Sequence, residues 1–265
     1  MEQLEQEWRV HPVLHLDLNI EKYASQESLD NILETNLVQW EKLYGEDPSE
    51  RSFSLRFAGI IRRAYEKTGE RVVILVDEYD KPLLQSISNK ALQDEFRATL
   101  KSVYGALKTM DGCIRFALLT GVTKFSKVSV FSDLNNMEDL SMNTAYYDLC
   151  GISEQELHDV FYEEVGELAK ANGQTKEEAY EMLKQRYDGY HFAPDTLGMY
   201  NPFSVLLTLK NQQYGSYWFS TGTPTYLVEL MKEVDMNPTE LSGYEASASE
   251  LDSVQIKVDN PIAVL

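Results

Sequence analysis

The sequence predicts an α/β fold, a three-layer core of helices packed on a mainly parallel sheet over residues 1–170. Two observations predict it. Apolar runs end abruptly in polar residues: Val72–Val76 leads straight into Asp77, Glu78, Tyr79 and Asp80. Two helix-length segments of 3.6-residue periodicity also lie between the first strand and this one, the layering of an α/β protein.

The elements follow in order. The stretch HPVLHLDLN alternates Val13, Leu14, Leu16 and Leu18 with polar residues and reads as a short strand. Residues 28–45 carry Leu29, Ile32, Leu33, Leu37, Trp40 and Leu43 at helical spacing, with Gly45 suited to the end. Residues 53–70 form a second helix closing at Gly69, before the strand Val72–Val76. Pro82 opens a short helix, residues 91–112 a longer one, and CIRFALLTG is the next buried strand. Residues 122–142 read as a long functional loop, and AYYDLC (145–150) as a fourth strand. Ser153 and Glu156 make a capping box. After them Leu157, Val160, Phe161, Val165 and Leu168 form the apolar stripe of one helix. From about residue 172 the rhythm of strands is lost, and helices over 174–187, 202–212 and 223–234 predict a helical subdomain. In the last part, Tyr187, Tyr190, Phe192, Tyr200 and Phe203 are expected mostly in the core. Asp188-Gly189 signals a turn, and Asn201 before Pro202 a helix cap.

Composition narrows the function. The net charge of −19 repels phosphate backbones, so direct nucleic-acid binding by this segment is not expected. The two cysteines, Cys113 and Cys150, lack metal-ligand spacing and are expected as buried thiols. No apolar run approaches the ~20 residues that cross a bilayer, and the N-terminus lacks the features of a signal peptide; a cytoplasmic location is the default.

The chemistry sits at the carboxylates. A strand ending in Asp77-Glu78 can present a magnesium-binding Asp and a water-activating Glu. The alternative is that two acids simply begin a solvated loop. The next strand ends in Thr120, where P-loop ATPases of the additional-strand type carry a residue that senses the γ-phosphate; a strand-end cap is the other reading. Lys124 and Lys127 reach phosphate or are surface charges. His11, His15, His158 and His191 are scattered and suggest no metal site.

Several long stretches, in order, resemble the predicted AAA-ATPase-like family of bacterial proteins, which usually carry a PD-(D/E)XK nuclease-like domain at the C-terminus. They are PVLHLDLN, VVILVDEYDKPLL, LLTGVTKFSKVSVFSDLNNMEDLSM, RYDGYHFAPDTLGMYNPFSVLLTL and YWFSTGTPTYLVELM. The resemblance implies a P-loop NTPase-like core at 1–170, a helical lid at 171–240 and the start of a wing-like region at 241–265. It implies ATP and Mg²⁺ as ligands, with Asp77 holding the metal, Glu78 as catalytic base, Thr120 as sensor and Lys124 on the nucleotide. Arg186 would reach the γ-phosphate from the lid.

The phosphate loop of that family is missing: none of the fourteen glycines is followed by lysine. The expectation is a fragment from the middle of a longer ATP-hydrolysing protein, itself binding ATP weakly or not at all. The alternative is a non-catalytic scaffold that binds a protein partner or itself. The missing strand belongs beside the Thr120 strand, on the side away from the acidic strand, which would leave the Thr120 strand without one of its partners and AYYDLC detached from the sheet.

Overall fold

The computed structural model describes residues 8–121, 130–131, 134, 136–193 and 195–217. They fall into two compact units divided after Asn136.

The first unit is built on a three-stranded parallel sheet, β1 (Val13–Asp17), β2 (Val72–Asp77) and β3 (Ile114–Leu119), in the order β1-β2-β3. The first crossover carries α1 (Gln26–Tyr44) and α2 (Phe53–Thr68); the second carries α3 (Lys81–Gln85) and α4 (Lys90–Thr109). The helices start where short polar side chains satisfy their first amides. Ser52 accepts from the Leu55 amide, and Asn89 from the Leu92 amide. Helix α2 stops at Gly69, whose φ of +72° is costly for other residues.

Register decides which side chains share a face. Leu14 pairs with Ile74 and Leu16 with Val76, and all four are buried with Val72. Leu16 lies with Leu33, Leu37, Trp40, Phe57 and Val103, so α1, α2 and α4 cover this side. The intervening residues face the other way. Val13 is 51% exposed, its partner Val73 is half-buried, and Phe116, paired with Val73, is 52% exposed. A helical layer on that side is not among the described residues, which give the α/β sheet with one covered face. β3 pairs with β2 alone, and its outer edge has no strand partner among the described residues.

The second unit is helical, with α5 (Glu154–Val160), α6 (Tyr162–Ala171), α7 (Lys176–Tyr187) and α8 (Pro202–Asn211). Its core joins Ile152, Leu157, Val165 and Leu168 to Ala179, Leu183, Tyr200 and Val205. Residues 152–170 therefore pack with the helical segment, and the division comes well before the boundary expected at 170. The Tyr187 hydroxyl accepts from Thr208 Oγ1 at 2.8 Å and from the Gly215 amide at 3.0 Å, and faces the Gly215 carbonyl oxygen at 2.9 Å. Asn201 caps α8 by accepting from the Ser204 amide at 2.9 Å, with Pro202 as first helical residue.

Four expectations are corrected. Residues 145–150 are not a strand. Asn143 accepts the Ala145 amide through its side chain, and backbone bonds Tyr146 to Asn143 and Leu149 to Tyr146 close successive turns. Local bonds thus consume amides that a ladder would need. The single helix after Ser153 is two, broken at Phe161, and Val160 is 64% exposed. Of the five aromatics assigned to the core, Tyr187 and Tyr200 are buried, while Tyr190, Phe192 and Phe203 are exposed. Neither cysteine is buried: Cys113 is intermediate and Cys150 exposed. The helix expected at 223–234 and the wing-like region at 241–265 lie outside the described residues.

Candidate functional site at the carboxyl ends of the strands

β2 delivers Asp77 to the carboxyl edge of the sheet, where ligands of open parallel sheets sit. The chain then turns sharply: Glu78 adopts φ +55°, a left-handed conformation that costs a non-glycine residue free energy. The neighbouring strands hold that turn. The Tyr79 amide donates to the Thr120 carbonyl oxygen at 2.9 Å, and the Thr120 amide to Val76 at 2.9 Å. On the opposite side, the Leu18 amide donates to the Asp77 carbonyl oxygen at 3.1 Å.

The side chains converge as well. Thr120 Oγ1 donates to Asp77 Oδ1 at 2.5 Å, and the Glu78 amide reaches the same oxygen at 3.1 Å. Asp17, the register partner of Asp77 at the end of β1, accepts the Asn19 amide at 2.7 Å. Burial holds the Glu78 carboxyl above the usual range, with Asp80, Asp77 and Asp17 adding to the effect and Lys81 opposing it. Asp80 is fully buried, and its carboxylate lies against Gly121. A Cβ on Gly121 would stand 2.6 Å from Asp80 Oδ1 and 2.8 Å from Tyr79 Cε1, so the absence of a side chain lets β3 end against the acidic turn. Behind the turn, Tyr79 meets Phe131 edge-on at 5.1 Å.

Asp77, Glu78 and Thr120 are thus brought together. Lys124 and Lys127 lie outside the described residues. Arg186 belongs to the second unit, where its Nε donates to Met182 Sδ at 3.3 Å and its guanidinium carbon lies 5.7 Å from the centroid of the Tyr214 ring. Sequence reading missed Asp17, Asn19 and Lys81. The polar end of HLDLN was the available signal, because a strand in register with β2 must end beside Asp77.

Among the described residues no group of three or more His, Cys, Asp or Glu side chains is arranged to hold a metal ion. Mg²⁺ typically takes one or two carboxylates and completes its shell with water and substrate phosphates. Asp77 is a carboxylate held in one orientation by Thr120.

Residues 1–131 match a family model described as a predicted AAA-ATPase. Over 225 residues the chain is 37% identical to a protein of Azotobacter chroococcum mcd 1 named only as an uncharacterized protein in the vnfD 5′ region. The match covers 85% of this chain and 41% of that protein, so the chain spans about two-fifths of its relative's length. No solved structure matches. No helix among the described residues is long and apolar enough to cross a membrane.

Proposed function

We propose that the turn after β2 is the metal- and water-handling half of an ATP-hydrolysing site. The observation that carries the reading is the 2.5 Å hydrogen bond from Thr120 to Asp77 at the ends of adjacent parallel strands, with Glu78 next in the chain. Asp77 offers an oriented carboxylate to Mg²⁺, whose charge would offset that of the transferring phosphoryl group. Glu78, held above the usual carboxylate range, is tuned toward accepting a proton from water. Thr120 ties the two strand ends so that both acids keep one geometry. Lys124 and Arg186 are proposed as contacts to phosphate.

The same acids disfavour ATP unless a phosphate-binding loop faces them. The backbone amides and lysine of such a loop supply the positive field around the β- and γ-phosphates. With no Gly-Lys pair in the sequence, this chain is expected to bind ATP weakly. The test uses both proteins. In the longer Azotobacter relative, replacing the residue that aligns with Glu78 by alanine should abolish ATP hydrolysis and leave nucleotide binding intact. An unchanged rate would sink the reading, as would tight ATP binding by this chain that survives Asp77→Asn.

A second reading, association with a protein partner or another copy, is favoured by the β3 edge that has no strand partner among the described residues and by the exposed Phe116 and Val13 on one face of the sheet. A parallel sheet is ordinarily covered on both faces.

A further inference from the structure

We propose that Lys81 is the positioning residue for Glu78. Its ammonium donates to the Asn19 backbone carbonyl oxygen at 2.7 Å and also to the Asn19 side-chain oxygen, which fastens the end of β1 to the first turn of α3. The Lys81 amide donates to the Glu78 carbonyl oxygen at 3.0 Å and closes the turn that holds Glu78 at φ +55°. One residue therefore grips the acidic turn from both sides, through its backbone at Glu78 and its side chain at β1.

The placement also matters electrostatically. The Glu78 carboxylate feels the like charges of Asp80, Asp77 and Asp17, which among the described residues Lys81 opposes. A lysine chain alone is flexible, with a large rotamer entropy to lose. The two Asn19 oxygens fix where its ammonium stands, and so fix the field that Glu78 feels. Asn19 is itself turned by its amide bond to Asp17 at 2.7 Å, so the clamp is anchored to β1 rather than to a free loop.

The positioning role rests on the reading of Glu78 as a base, whereas the clamp does not. The test is carbon-13 NMR on the 265-residue chain at fixed neutral pH, with the Glu78 Cδ resonance identified by its loss in Glu78→Gln. Lys81→Met keeps the aliphatic length and removes the charge and both side-chain bonds, and should shift this resonance. Asn19→Ala removes the side-chain acceptor and leaves the backbone carbonyl bond, so it should shift the resonance in the same direction and by less. Lys81→Arg, which can reach both Asn19 oxygens, should restore it. Thermal unfolding of the same samples establishes that each variant is folded. An unmoved resonance in Lys81→Met or in Asn19→Ala overturns the proposal, as does a Lys81→Arg spectrum matching that of Lys81→Met. Hydrolysis by the longer relative is a separate readout: its absence removes the base without moving the carboxyl shift.

Discussion

Replacing Gly59 by alanine should destabilise the wild-type protein and stabilise one particular variant of it. Gly59 lies in α2 directly beneath the Glu50 carboxylate: an added Cβ would sit 2.0 and 2.2 Å from the two carboxylate oxygens and 2.3 Å from Cδ. No side chain tolerates that distance, so Glu50 must leave. It now bonds Arg63 at 2.8 Å and Arg62 at 3.2 Å, and the Arg63 and Glu50 side chains are only 16% and 11% exposed. Losing hydrogen bonds between charged groups at such a site costs about 2–3 kcal/mol. Alanine inside a helix recovers about 1 kcal/mol relative to glycine. The net loss is about 1–2 kcal/mol, a fall of roughly 2–8 °C in Tm for a domain of 150–250 residues. In an Glu50→Ala background the collision is gone, and the same Gly59→Ala change should raise Tm through helix propensity alone. Thermal unfolding followed by circular dichroism on the four proteins reads the sign directly. A Gly59→Ala protein that melts at or above wild type would refute the close approach of Glu50 to α2.

Two further outcomes are expected. Glu78 has a raised folded-state pKa, so its folded form holds a proton that the unfolded chain gives up, and stability is lost as pH rises through the carboxylate range. Glu78→Gln removes that loss, and its Tm should exceed wild type at pH 7 while matching it at acidic pH; a Tm below wild type at pH 7 would contradict the assignment. Phe116→Glu places a charge on the exposed face beside the β3 edge that has no strand partner among the described residues, the kind of charge that keeps sheet edges apart. Sedimentation should show wild-type association and a monomeric variant, and identical profiles for the two would dismiss that surface as an interface.

The sheet was legible because β2 and β3 show themselves as apolar runs and β1 as an alternation of apolar and polar residues. Helices α1, α2 and α7 were legible through periodicity and caps. AYYDLC was not, because its composition is that of a strand while Asn143 organises the backbone into turns before any ladder can form. Tyr190, Phe192 and Phe203 misled by size: an aromatic ring is equally at home on an unfinished surface, and sequence spacing does not say which. At the site, Asp77, Glu78 and Thr120 could be read from the ends of their strands. The Lys81–Asn19 clamp could not, since it joins residues 62 apart whose meeting depends on the register of β1 with β2.

The consecutive strand order sets a schedule for the site during synthesis. Each strand pairs with the next one to be made, so β1 and β2 can associate as soon as both have left the ribosome. Asp77 is in place at that moment, but Thr120 follows it by 43 residues. At about 5–20 residues per second, the carboxylate waits roughly 2–9 s for the hydroxyl that orients it. During that interval β2 is the growing edge of the sheet, apolar and paired on its β1 side alone, and it is α2, packed against it, that shields the nascent strand on one side.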